Sequence, residues 1–374
     1  MDDWAAAGDA PVDELIDLAE SGVSLAVREM GCRIAVDSGS FVRASANLER
    51  LAQLKLSDEK MRQLNESEGR TVIAWQEQEQ LEFDFDAGSW MTSTTADGSA
   101  KSRAYVGIDG FLLPMVTDAE MGKRFEKAKA RRKRRLKRSK GVRQPALRRR
   151  RGADQRYKEM KLITIYDQEK EHRLTRATRS GVQQAGRMLR QMSADVRLRR
   201  VQEVVAVTDG AEWIARLVDQ NLPPPRQTTA ILDYYHASQH VHQARRALFG
   251  EENPDGQAWA DRVLHGLSQG QCEDWWEQLT STRSRLRSKS KRRAVDELMR
   301  YLIERKEKVD YASFRAAGFD IGSGPTESMC KSLSRRMKGT GMRWKATNAE
   351  ALVALEALHQ SNLWGHYWST RIAA

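Results

Sequence analysis

Cysteine is scarce in this 374-residue chain: there are three, Cys32, Cys272 and Cys330, far apart and with no Cys-x-x-Cys spacing. That argues against a structural zinc site and fits a reducing compartment. Long apolar runs are also missing, and none approaches the length needed to span a membrane. The acidic start (Asp2, Asp3) lacks the basic, apolar and small-residue progression of a signal peptide. The expectation is a soluble, intracellular protein with no membrane partner. In one stretch the acids themselves nearly vanish. Lys123 to Arg151 holds 17 Lys or Arg against one acid, Glu126, so it carries +16 of a net charge of +12 and leaves about −4 elsewhere. A dense positive segment in an otherwise near-neutral chain reads as a phosphate-binding arm; a solvated charged helix or linker is the plainer alternative.

What is present suits a globular protein, since 40% of residues are hydrophobic and the length allows more than one domain. Residues 1–95 read as helical. Apolar residues at Phe41, Val42, Ala44, Leu48, Leu51 and Ala52 give helical spacing over Ser40 to Gln53. Ser57 then caps a second helix to about Glu68, with Asp58 and Glu59 in its first turn. Two helices joined this tightly can form a helix-turn-helix that reads DNA, although any α-hairpin shares the pattern.

From residue 104 the pattern changes. Strands are expected at Ala104 to Ile108, Leu162 to Tyr166, Arg173 to Ala177, Val204 to Val207 and Ala230 to Leu232, with a long helix over Gly181 to Arg200. Beyond His236 no strand is expected, and Trp259 to Glu307 is polar and helical, with Trp213, Trp259, Trp275 and Trp276 as helix-packing residues. The order implies an α/β domain with a helical insertion: a first part over 104–250 with the basic arm at 123–151, an insertion over 251–315, and a last part over 316–374.

Three acids stand out. Asp109 and Asp209 each follow an apolar strand and precede a glycine, so they can converge where ligands bind, at the carboxyl ends of strands. Glu327 lies just inside a helix after Gly322-Ser323-Gly324-Pro325-Thr326. Hard oxygen ligands in this number suit Mg²⁺, and two such ions can activate an attacking oxygen and stabilise a leaving one. A second cluster, Asp233-Tyr234-Tyr235-His236 followed by His240 and His242, reads as a polar network in which Asp233 and His236 share a hydrogen bond, or as a zinc site held by the three histidines.

At these residues the chain resembles the ISKra-type family of bacterial insertion-sequence transposases, distant relatives of the Mutator-like group. The resemblance rests on five blocks in the same order: Asp109-Gly110, Asp209 to Ile214, Leu232 to Ala237, Ile321 to Glu327, and Arg336 to Trp344. It implies an RNase H-like catalytic domain with Asp109, Asp209 and Glu327 as the acids that hold two Mg²⁺ ions, with Mn²⁺ able to substitute. Its Asp-x-x-His element maps onto Asp233 and His236, implied to support the metal site without ligating it. The family often carries a cysteine-rich segment near the N-terminus. None is seen here, which leaves end recognition to the helical residues or marks a shortened chain.

The implied activity is Mg²⁺-dependent cleavage and strand transfer at insertion-sequence ends, by a homodimer or larger homo-oligomer on double-stranded DNA, in the nucleoid-containing cytoplasm. A nuclease of the same fold without strand transfer, and a transposase-derived DNA-binding regulator, are the alternatives. Residues expected on DNA are Arg131, Arg132, Lys133, Arg134, Arg135, Arg148, Arg149 and Arg150 of the arm. Lys331, Arg335, Arg336, Lys338 and Arg343 join them after Glu327, with Trp344 either stacking on an unpaired base or buried against the C-terminal helix Ala349 to Leu358.

Overall fold

The β-branched and aromatic runs around Val106, Val205 and Ile231 do form adjacent strands of one mixed sheet, the first two inside it and the third at its edge. The computed structural model describes residues 18–19, 22–80, 85–92, 98–138, 157–222, 228–269, 272–339 and 342–373. Helices α1 (Leu25–Asp37), α2 (Phe41–Ala52) and α3 (Asp58–Glu77) precede strand β1 (Arg103–Val116), and α4 (Asp118–Arg138) follows it. Strands β2 (Tyr157–Asp167) and β3 (Arg173–Thr178) lead into α5 (Val182–Asp195). Next come β4 (Glu203–Thr208), α6 (Glu212–Asn221) and β5 (Thr228–Leu232). The helices α7 (Tyr234–Phe249), α8 (Pro254–Gln269), α9 (Cys272–Arg285), α10 (Lys289–Ile303), α11 (Tyr311–Ala316) and α12 (Gly324–Arg335) follow. A two-residue strand β6 (Trp344–Lys345), α13 (Ala346–Gln360) and α14 (Trp364–Ala373) come last.

The sheet order is β3-β2-β1-β4-β5. β4 runs parallel to both β1 and β5, whereas β2 and β3 pair antiparallel. The protein is therefore α/β with a mixed sheet. Two expectations are corrected. β1 does not stop at Ile108 but continues through Asp109-Gly110 to Val116, because Phe111, Leu113, Met115 and Val116 are buried like the residues before them. A strand also occurs late in the chain, where Trp344 and Lys345 pair parallel with Met115 and Val116.

The chain divides into two compact units. One comprises Met1–Glu82, Phe111–Met160 and Lys331–Ala374; the other comprises Phe83–Gly110 and Lys161–Cys330. In the first, α1, α2 and α3 close on a small core of Ala35, Ala44, Leu48 and Met61, lined by Met30, Ile34, Phe41, Leu54 and Leu56. Ser24, Ser40 and Ser57 cap the three helices by accepting backbone N–H bonds from Val27, Arg43 and Lys60. α3 runs nine residues past the expected end at Glu68. Gly69 lies flat against α13, where a Cβ would sit 2.0 Å from the Ala351 carbonyl oxygen. The neighbouring Glu68 is fully buried, paired with Arg28 at 2.8 Å and bonded by the Tyr367 hydroxyl. With Met61, Leu64, Asn65, Glu66, Glu68, Gly69 and Val72 all buried, α3 packs one face into the core.

In the second unit, Tyr105, Val205, Val207, Ile231 and Leu232 of the sheet share one core with Val241, Trp259, Val263, Trp275, Leu298 and Leu302 of the helices that follow β5. The helices that follow β5 are thus fused to the sheet through a common hydrophobic interior. Trp259 and Trp275 are packing residues, as expected, while Trp276 is partly exposed. α5 ends at Asp195, earlier than the expected Arg200, because Arg197 adopts a left-handed conformation (φ 53°) that turns the chain. Among the described residues no helix is long and apolar enough to cross a membrane.

Candidate active site at the ends of the central strands

The parallel register of β1 and β4 sets the site. It pairs Arg103 with Glu203 and continues to Ile108 opposite Thr208, so the next residue on each strand is Asp109 or Asp209. Two aspartates are thereby delivered to the carboxyl ends of neighbouring strands, where α/β sheets bind ligands. Asp209 leaves the sheet in a turn. Its carboxylate accepts the Ala211 N–H at 2.8 Å, and Gly210 takes φ 76°. A side chain at 210 would also meet Leu232 Cδ1 at 2.6 Å. Asp109 stays in extended backbone, with Oδ1 accepting the Gly110 N–H at 2.6 Å and Oδ2 accepting from the Cys330 thiol at 3.3 Å.

Glu327 arrives on the first turn of α12, with its side chain exposed. The preceding residue, Thr326, is buried directly on the backbone of β1. A Cβ at Gly107 would lie 1.8 Å from Thr326 Oγ1, so only glycine lets the helix sit this close, two residues before Asp109. Asp233 fixes the loop that leads into this helix. Its Oδ2 accepts from the Ser323 N–H at 3.1 Å and from the Ser323 hydroxyl, while Oδ1 caps α7 through the N–H groups of Tyr235 (2.7 Å) and His236 (3.3 Å). The Tyr234 N–H adds a bond to the Ile321 carbonyl at 3.0 Å. One buried carboxylate therefore ties the end of β5, the start of α7 and the approach to Glu327 together.

The electrostatics agree with this convergence. Burial pushes the Asp109 carboxyl above the usual carboxylate range, and the negative charges of Asp209 and Glu327 push it the same way. The bonds from Cys330 and Gly110 pull partly back. The charges of Asp209 and Glu327 thus reach Asp109, and an oxygen-only, anionic donor set fits a hard divalent cation. Among the described residues, however, no three His, Cys, Asp or Glu side chains stand together as a preformed coordinating group. That also holds for His236, His240 and His242.

The expected side-chain bond between Asp233 and His236 is corrected: Asp233 bonds the His236 backbone, not its ring. The His236 ring instead meets His240 edge-on (5.2 Å between centroids), and His240 stacks on Tyr301 of α10 at 3.8 Å. Burial, then the positive fields of His236 and Arg305, hold His240 below the ordinary histidine range. Tyr301 donates to the Asp209 carbonyl at 3.4 Å, and Arg305, lying over the Tyr301 ring at 4.3 Å, donates to the Gly210 carbonyl at 3.2 Å. A column from His236 and His240 of α7 through Tyr301 of α10 to Arg305 therefore braces the Asp209 turn.

Sequence reasoning missed Gly107, Thr326, Ser323, Cys330, Tyr301 and Arg305. A glycine inside a strand is a signal of close backbone approach and marks Gly107. Nothing local distinguishes the other five.

The residues expected on DNA separate into three groups. Arg131, Lys133, Arg134 and Arg135 are exposed on α4 and Arg132 is half-buried, while Arg148, Arg149 and Arg150 lie outside the described residues. Lys331, Arg335 and Lys338 are exposed, and Arg343 is half-buried. Arg336 is corrected, and for Trp344 the buried alternative of the two holds. The Arg336 guanidinium lies over the Phe41 ring at 4.2 Å, and burial brings its pKa down to about 10. Trp344 is buried, donates from Nε1 to the Met337 carbonyl at 2.9 Å, and meets Phe41 edge-on, so its faces are not offered to a base. Compared with models of protein families and with curated proteins, the chain matches none.

Proposed function

We propose that this chain is a DNA transposase of the DDE type, built on an RNase H-like sheet, that cleaves and joins DNA strands at the ends of an insertion sequence. The observation that carries the reading is the strand register that puts Asp109 beside Asp209, with Glu327 brought up to them through the Thr326–Gly107 contact. The order β3-β2-β1-β4-β5, with an antiparallel pair on one side and parallel strands on the other, supports an RNase H-like assignment.

In this reading Asp109, Asp209 and Glu327 would hold two Mg²⁺ ions, with Mn²⁺ able to substitute. Bound there, divalent ions supply charge stabilisation to both the attacking and the leaving oxygen of a phosphodiester. The protein's own part is positional. Gly107 admits α12, Asp233 anchors its approach loop, and Arg305 with Tyr301 holds the Asp209 turn. The cations of α4, with Lys331, Arg335, Lys338 and Arg343, supply sequence-independent affinity for DNA phosphates. Action as a homodimer or larger oligomer on two element ends is part of the proposal.

The test is incubation of the full chain with duplexes bearing candidate element ends, Mg²⁺ and a target plasmid. Joined products are expected from the wild type and not from Asp209→Ala. Cut ends without joined products would indicate a nuclease of the same fold, and intact DNA that is still bound would indicate a regulator.

A further inference from the structure

Among α1, α2 and α3, the helix left most open is α2. Of its twelve residues only Ala44 and Leu48 are buried, and these face the shared core with α1 and α3. Positions 43, 46, 47 and 50 follow i, i+3, i+4, i+7 spacing and form one continuous face. That face carries Arg43, Ala46, Asn47 and Arg50, all exposed, flanked by Val42 at 64% and Leu51 at 77% exposure. Solvent-facing Val and Leu beside two arginines and an asparagine make an unusual surface for a helix whose opposite side is already packed.

The connection before α2 is just as specific. α1 ends at Asp37, and Ser38-Gly39-Ser40 turns the chain into α2, with Ser40 as its cap. Helix, three-residue turn containing glycine, helix is the layout of a DNA-binding helix-turn-helix, whose second helix presents its N-terminal residues to base edges. α3, by contrast, is committed to the core and carries two more acids than bases, which opposes approach to DNA.

We infer that α1 and α2 form a helix-turn-helix in which α2 enters the major groove of duplex DNA, with Arg43, Asn47 and Arg50 reading base edges. The chemistry matches: arginine pairs bidentately with guanine, asparagine with adenine, and an exposed Ala or Val can contact a thymine methyl. The two arginines complement the phosphate-lined groove, and the single acid of α2, Glu49, lies at the margin of the face. This inference rests on the transposase reading for its biological setting, but not for its test.

The test is selection by the full-length protein from a pool of randomised duplexes, without divalent ions. The wild type is expected to enrich one consensus. The triple variant Arg43→Ala, Asn47→Ala, Arg50→Ala should lose it while still binding unselected duplex, whereas Lys60→Ala with Arg70→Ala on α3 should select the wild-type consensus. Each single α2 variant should reduce discrimination against the matching base change by about 5- to 150-fold. Because these side chains are exposed and, among the described residues, only Asn47 holds a bond, a long 3.4 Å one to Ser38 Oγ, thermal midpoints are expected to change little, and Arg43→Lys provides a second, conservative variant that should alter preference at one position only. An unchanged consensus in the triple variant, or no consensus from the wild type, would overturn the inference. Neither result bears on strand cleavage, which depends on Asp109, Asp209 and Glu327.

Discussion

Asp109-Gly110 and Asp209-Gly210 are the same dipeptide after the same kind of apolar run, yet the chain treats them oppositely. At 209 the aspartate starts a turn, the glycine takes φ 76°, and Tyr301 and Arg305 hold the carbonyls from outside. At 109 there is no turn: β1 runs on to Val116. Both aspartates nevertheless stand at the ends of neighbouring strands, because register, not local turn chemistry, sets where they come. A dipeptide signals possibilities, and the strands on either side choose between them.

The largest expected effect comes from removing either aspartate or their partner. Asp109→Ala, Asp209→Ala and Glu327→Ala should each lower strand cleavage by about 1,000-fold or more, as expected for several kcal/mol of lost transition-state stabilisation, with DNA binding by gel shift largely kept. Substantial cutting by any one variant would remove that residue from the site.

Gly107→Val should come next. It forces a side chain into Thr326, and overpacking of this kind costs about 1–3 kcal/mol in stability, readable as a lower thermal midpoint. Cleavage should fall further than stability alone explains, because Glu327 sits on the helix that is displaced.

The glycines of the two dipeptides should then separate. Gly210→Ala places a Cβ on a left-handed backbone, at a cost of about 1–2 kcal/mol before its contact with Leu232 is counted. Gly110→Ala, in extended strand, should cost clearly less in parallel denaturation curves. Equal losses would mean that the turn at 210 is not what distinguishes the pairs.

The smallest effect concerns charge. A carboxyl whose pKa is raised on folding costs stability once ionised. The cost is present in full above the folded value and absent below about 3.8, where both folded and unfolded states are protonated. Asp109→Asn should therefore raise the thermal midpoint at neutral pH without divalent ions, with the gain fading as the pH falls through the acid range. A gain that persists at pH 3 would point to packing rather than charge.

Much of this arrangement was legible in the residues themselves. Ser40 and Ser57 mark helix starts, Val204 to Val207 mark a central strand, and the spacing of acids along the chain marks the strand ends and the helix that bring them together. What was hidden depends on distant partners. β1 passes through Asp109-Gly110 because both flanks are buried, and burial is a tertiary property. α3 outlasts its expected end because Gly69 meets Ala351, far along the chain. Trp344 and Arg336 look like DNA contacts in a basic segment, but Phe41 packs against both. Tyr301 on α10 and Arg305 just after it have nothing nearby to reveal that they reach back more than 90 residues to the Asp209 turn.

The claim that Asp109, Asp209 and Glu327 act as one site is tested most directly by Mn²⁺ binding to the full-length protein, followed by calorimetry or by the loss of the free-ion paramagnetic signal. The wild type is expected to bind Mn²⁺ in competition with Mg²⁺, and each of the three alanine variants to bind it at least about 10-fold more weakly. Binding that is unaffected by all three substitutions would contradict the assignment.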